Sequence, residues 1–156
     1  MITVPQDPFV LSGSVRPNAD PIGIVPDDTI INDLPKFRLR PIIQARGGLD
    51  ADLTQQPLSH GQQQLLCLGR AILKQSKILI LDEATSNVDS ETDQMMQRII
   101  REEFQNYTII TVAHRLDTIM DSDRIAVLES GVLLVEFDSP KLLLERDSAF
   151  KNLYGG

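Results

Sequence analysis

With a single cysteine, Cys67, in 156 residues, the chain can form neither an intrachain disulfide nor a thiolate metal cluster, which points to a reducing compartment. No apolar run approaches the ~20 residues that a membrane-spanning helix needs, and no basic-then-apolar segment opens the chain as a targeting signal would. Positive charge is short as well. Fifteen Lys+Arg stand against 22 Asp+Glu, a formal net charge of −7, which disfavours broad electrostatic capture of nucleic acid or of an anionic membrane. What remains open is a local anion site. Hydrophobic residues at 42% and charged residues at 24% are ordinary for a globular chain, and the length suits one domain.

Two textures divide the sequence. Seven of the nine prolines fall between Pro5 and Pro41, so after an opening strand over 1–4 only short helices fit, at 27–34 and 40–45, the second closed by Gly47-Gly48. Beyond Ser59 long periodic segments alternate as in a parallel α/β layer. A helix over 60–75 carries Leu65, Leu68 and Ile72 on one face, and Ser59-His60-Gly61-Gln62 has the form of a capping box. Residues 77–81 read as a strand covered on both faces. An amphipathic helix over 90–105 follows, with Met96, Ile99, Ile100 and Phe104 inward, and then a buried strand over 107–113. Residues 124–129 and 132–137 pair across Ser130-Gly131, and a helix begins at Ser139-Pro140.

Reactive groups in open α/β sheets gather beyond the carboxyl ends of the strands. Two strands deliver polar residues there: Asp82-Glu83 from one and His114 from the next. Adjacent carboxylates suit phosphoryl chemistry, because one holds Mg²⁺ in its water shell while the other polarises an attacking water. Taken alone, Ser59 and Gln62 are a helix cap, and Gln6 and His114 are structural residues in a turn and at a strand end.

In combination these segments resemble a known family. Leu58-Ser59-His60-Gly61-Gln62 resembles the signature motif of ATP-binding-cassette (ABC) ATPases, and Ile78-Leu79-Ile80-Leu81-Asp82-Glu83 resembles their Walker B motif. Ser86-Asn87-Val88-Asp89 looks like the D-loop, Ala113-His114-Arg115 like the switch-histidine segment, and Val4-Pro5-Gln6-Asp7-Pro8 like the Q-loop. The five motifs stand in family order. Ser12-Gly13-Ser14-Val15-Arg16-Pro17-Asn18-Ala19-Asp20-Pro21 and Gln64-Leu65-Leu66-Cys67-Leu68-Gly69-Arg70-Ala71 are similar to the second cassette of C-subfamily exporters, the multidrug-resistance-associated type, and the turn at Gly47-Gly48-Leu49-Asp50 looks like fungal members.

The resemblance implies an α/β fold, the RecA-like P-loop NTPase core of an ABC ATPase with a helical signature subdomain. Residues 1–11 would belong to the core's Q-loop region, 12–75 to the helical subdomain and signature helix, and 76–156 to the rest of the core. It implies ATP and Mg²⁺ as cofactors, with Glu83 as general base, Asp82 and Gln6 at the metal, and His114 at the γ-phosphate. Ser59, His60, Gly61 and Gln62 would cap an ATP held by a second nucleotide-binding domain in a head-to-tail sandwich, with Asp89 coupling the halves. Transmembrane domains would be the other partner, placing the cassette on the cytoplasmic face of a membrane. No nucleic-acid partner is implied.

The sequence contains no G-x-x-x-x-G-K-[ST], and none of its nine glycines precedes a lysine, so the Walker A cradle is missing. The resemblance then implies an incomplete core without the N-terminal strands and Walker A loop, inactive by itself. The competing readings are a non-catalytic remnant that donates a signature motif to another cassette and a chromosome-maintenance ATPase. Against the latter stand the acidic balance and the lack of a heptad pattern. Gly69, where alanine is usual, implies a cost of ~1 kcal/mol in a helix interior.

Overall fold

The computed structural model describes residues 1–113, 115–129 and 133–155. They form two compact units, Met1–Val112 and Ala113–Gly156.

In the first unit a three-stranded parallel sheet runs in the order β1 (Ile2–Val4), β2 (Ile78–Asp82), β3 (Thr108–Val112). Between β1 and β2 lie four helices: α1 (Val15–Ala19), α2 (Asp27–Asp33), α3 (Arg40–Ala45) and α4 (His60–Lys74); α5 (Ser90–Glu103) crosses from β2 to β3. α3 has the bounds expected from sequence, and Gly47 beyond it takes φ 110°, a left-handed conformation open to glycine at no steric cost. α1 was not expected, since Pro17 lies inside it; Val15 and Ala19 bury it.

α4 is the centre of this unit. Leu65, Leu66, Leu68, Ala71 and Leu73 are buried among residues from β1, β2, the small helices and the turn between α2 and α3, including Val4, Leu79, Ile43 and Phe37. Ring atoms of Phe37 would lie 2.4–2.7 Å from a Cβ at Gly69. The glycine is there because an aromatic ring occupies the place of its side chain. α5 buries Met96, Ile99 and Ile100, with Phe104 just beyond its end, as its periodicity predicts.

Two strand expectations need correction. β2 is covered on one face: Leu79 and Leu81 are buried, while Ile78 is 37% exposed and Ile80 is half-buried. β3 is exposed at every residue, Ile110 by 51%. β-Branched composition reports a liking for a pleated surface but says nothing of what covers it, and β3 is an edge of this sheet.

In the second unit β4 (Ile125–Glu129) pairs antiparallel with β5 (Leu133–Asp138), with a register shift between Val127 and Leu128. α6 (Pro140–Glu145) starts on the cap Ser139 and precedes α7 (Ala149–Gly155). Ile125, Val127, Leu143 and Phe150 form its core. The expected turn at Ser130-Gly131 lies outside the described residues. No described helix is long and apolar enough to cross a membrane.

Candidate functional site

Parallel register builds the first part of the site. Val4 in β1 is level with Leu81 in β2, and Leu81 with Thr111 in β3, so the strands reach their carboxyl ends together. Gln6, two residues beyond Val4, and Glu83, two beyond Leu81, therefore emerge along one edge, where open α/β sheets bind ligands. Asp82 remains in the ladder opposite Val112 and is exposed. Glu83 leaves it. Its φ of 48° lies in the left-handed region that costs a non-glycine residue energy. Two backbone bonds hold it there: its N–H donates to the Val112 carbonyl at 2.9 Å, and its carbonyl accepts from the Ser86 N–H at 3.0 Å. The two acids thus occupy different positions, Asp82 exposed and Glu83 half-buried. His114, expected at the same edge, lies outside the described residues.

The second part is the start of α4. Ser59 is extended, its Oγ accepts from the Gln62 N–H at 3.3 Å, and the Gln62 Oε1 accepts from the Ser59 N–H at 3.0 Å. This is the reciprocal capping box that the sequence predicts. The N–H groups of His60 and Gly61, in the first turn, have no intrahelical acceptor and face the positive end of the helix dipole. His60 is exposed and Gly61 buried.

Gly61 is buried by a neighbour. A Cβ there would meet Cγ2 and Oγ1 of Thr92 at 2.9 Å. Thr92 is itself tethered to Asp89, the N-cap of α5: its N–H donates to Asp89 Oδ1 at 2.9 Å and its Oγ1–H to Oδ2 at 2.7 Å. Those bonds, the side-chain one foremost, hold the Asp89 carboxyl below its ordinary pKa. Two regions singled out separately in the sequence, around Gly61 and around Asp89, are thereby packed together.

Sequence reasoning missed two polar fixtures. Gln64, on α4, is fully buried, and its Nε2 donates to the carbonyls of Pro5 at 3.1 Å and Gln6 at 2.6 Å. Its signal was a polar residue one turn before Leu68, inside the buried stripe. Asn18 is also fully buried: its Oδ1 accepts from the Leu11 N–H at 2.7 Å and its Nδ2 donates to the carbonyls of Leu11 and Ser14. Arg70 adds bonds to the carbonyls of Phe9 and Asn18, and burial lowers its pKa from the ordinary guanidinium value. These bonds wire the proline-rich segment onto α4.

Chemically, Asp82 and Gln6 present hard oxygen ligands beside a second carboxylate. Among the described residues no group of three or more His, Cys, Asp or Glu gathers as a metal cage. That donor set fits Mg²⁺, which takes one or two carboxylates and completes its octahedron with water and substrate phosphates.

Comparison with known proteins identifies the family. The sequence model of the family described as "ABC transporter" matches residues 2–86. The chain is 48% identical over 155 residues to the ABC transporter atnG of Emericella nidulans, covering 99% of this chain and 10% of that protein. It is 51% identical over 155 residues to the metal resistance protein YCF1 of Saccharomyces cerevisiae, covering 96% of this chain and 10% of that protein. It is 49% identical over 150 residues to ATP-binding cassette sub-family C member 2 of Rattus norvegicus, covering 94% and 10%. The chain thus spans about a tenth of the length of these curated relatives. A solved bacterial Atm1-family ABC exporter with ATP bound has a TM-score of 0.85 and 30% identity, over 98% of this chain and 28% of that one. The chain belongs to the ABC transporter family.

Proposed function

We propose that this chain supplies the water-activating part of an ATP-hydrolysing cassette that drives membrane transport. The observation that carries the reading is the common level of the strand ends, which brings Gln6, Asp82 and Glu83 to one edge of the sheet. In this reading Glu83 accepts the proton of an attacking water, and its fixed left-handed backbone keeps the carboxylate oriented before reaction. Asp82 would hold Mg²⁺, directly or through water, and Gln6 would add a donor from the turn after β1. Bound Mg²⁺ would neutralise charge developing on the transferred phosphoryl group. His114 would contact the γ-phosphate.

Ser59, His60, Gly61 and Gln62 would serve an ATP held by a second nucleotide-binding domain in a head-to-tail sandwich. Support comes from the capped start of α4, whose free N–H groups and dipole suit a phosphate. Asp89 would couple the two halves, and its link to Gly61 through Thr92 gives that coupling a physical route. The division into core (1–11 and 76–156) and signature subdomain (12–75) belongs to the same proposal.

The transmembrane partner would meet the chain beside the Gln6 turn. A cavity of about 500 Å³ opens there, lined by Pro5, Phe9, Ile22, Ile24 and the α4 residues Cys67 and Arg70; Phe9, Ile22 and Ile24 are each more than 60% exposed. Exposed apolar groups around a concavity suit a partner helix. Such contacts would place the chain on the cytoplasmic face of the membrane.

With no Walker A lysine in the sequence, the chain by itself has little to hold a triphosphate. Purified alone, it is expected not to turn over ATP. Turnover by the isolated chain at a rate abolished by Glu83→Gln would overturn the division of labour proposed here.

A further inference from the structure

Helix α4 carries a second polar device one turn beyond its capped start. Gln64 is fully buried, and its side-chain amide directs both hydrogens to consecutive carbonyls of the turn after β1, those of Pro5 and Gln6. Its own Oε1 finds no hydrogen-bond partner among the described residues. A glutamine with a stranded acceptor is a poor packing residue, because that oxygen has lost water and gained nothing in return. A methionine of similar length would fill the space without the loss. What an amide adds here is a planar, forked donor.

The two carbonyls are not equivalent to any other pair. That of Pro5 belongs to the peptide plane before the Gln6 Cα, and that of Gln6 to the plane after it. One rigid group therefore fixes both planes that flank an exposed residue. The bonds span 59 and 58 positions of sequence, so they tie the turn to a distant part of the chain.

We propose that Gln64 is a positioning residue: by pinning both peptide planes around Gln6 it sets where the Gln6 side chain projects at the carboxyl edge of the sheet. It also joins Gln6 to the helix capped by Ser59, five residues earlier, so a shift of the signature end is transmitted to the metal side through one helical segment. The proposal deepens the reading of Gln6 as a residue at the metal and rests on it.

The test uses the chain itself, labelled for NMR. In the unmodified chain the Gln64 side-chain amide protons should exchange with solvent about tenfold or more slowly than those of the exposed Gln55 and Gln56. In Gln64→Met the backbone order parameters at Gln6 and Asp7 should fall from ~0.85 towards ~0.6, while the thermal midpoint holds or rises. A purely structural role would lower the midpoint and leave those two amides no looser than their neighbours. Fast exchange of the Gln64 amide, or unchanged order at Gln6 and Asp7 in the variant, overturns the proposal; the first readout stands even if the variant fails to fold. Adding Mn²⁺ separates the underlying reading. Broadening at Asp82 but not at the Gln6 side chain in the unmodified chain would remove Gln6 from the metal site while the order parameters still report on the clamp.

Discussion

The side chain that Gly61 lacks would stand 2.9 Å from the methyl and hydroxyl of Thr92. A flexible neighbour would move aside, but Thr92 is held by two hydrogen bonds to Asp89. Gly61→Ala should therefore destabilise the chain by about 1–3 kcal/mol through overpacking, even though alanine is the better helix former. A double-mutant cycle with Thr92→Ala, read from denaturant midpoints, should recover most of the loss. Simple additivity would show that the two helix starts do not interlock.

Gly69 makes the same argument in the core. Alanine gains up to ~1 kcal/mol of helix propensity, yet its methyl would sit 2.4 Å from the ring of fully buried Phe37. The net change expected for Gly69→Ala is a loss of about 1–3 kcal/mol, relieved by Phe37→Leu. A stabilised Gly69→Ala would mean that the ring has room to shift.

These two glycines mark how far the sequence was readable. The bounds of α3, the capping box at Ser59 and Gln62, and the inward face of α5 follow from signals a few residues long, and all were legible. So was the edge that receives Asp82 and Glu83, because alternating strands and helices imply a parallel sheet; Gln6 was drawn to it only by the family resemblance. The partners of Gly61, Gly69, Gln64 and Asn18 were not legible, since each lies on another element and glycine or amide at one position does not name its neighbour. The burial expected of β3 failed for the same reason: its composition reports a preference for a pleated surface, while its exposure depends on which strands flank it.

Asn18 is the most exacting of the residues that sequence reasoning passed over. Asn18→Ala removes the acceptor for the Leu11 N–H and the donor for the carbonyls of Leu11 and Ser14. The expected loss is about 1–3 kcal/mol for buried groups left unpaired, measured by urea unfolding. Proteolysis should then begin between Phe9 and Pro21. A change within experimental error would show that the segment is held by its prolines alone.

Asp89 gives the fold a pH dependence of known sign. Its carboxyl is held below its ordinary value by Thr92, so the folded state binds this proton less readily than the unfolded state. The cap's contribution is therefore present above the unfolded carboxylate range, near pH 4, and is lost as pH falls through the lowered folded value. Thermal midpoints of the unmodified chain and Asp89→Ala, compared at pH 7 and pH 3, should differ more at pH 7. An equal difference at both pH values would contradict this assignment.

Glu83, just beyond β2, is proposed to activate water for ATP hydrolysis. The direct measurement is phosphate release by a cassette in which this chain is joined to a Walker A-bearing segment, with and without Glu83→Gln. Turnover should fall about 10²-fold or more in Glu83→Gln with ATP binding retained, whereas unimpaired turnover would contradict water activation by Glu83.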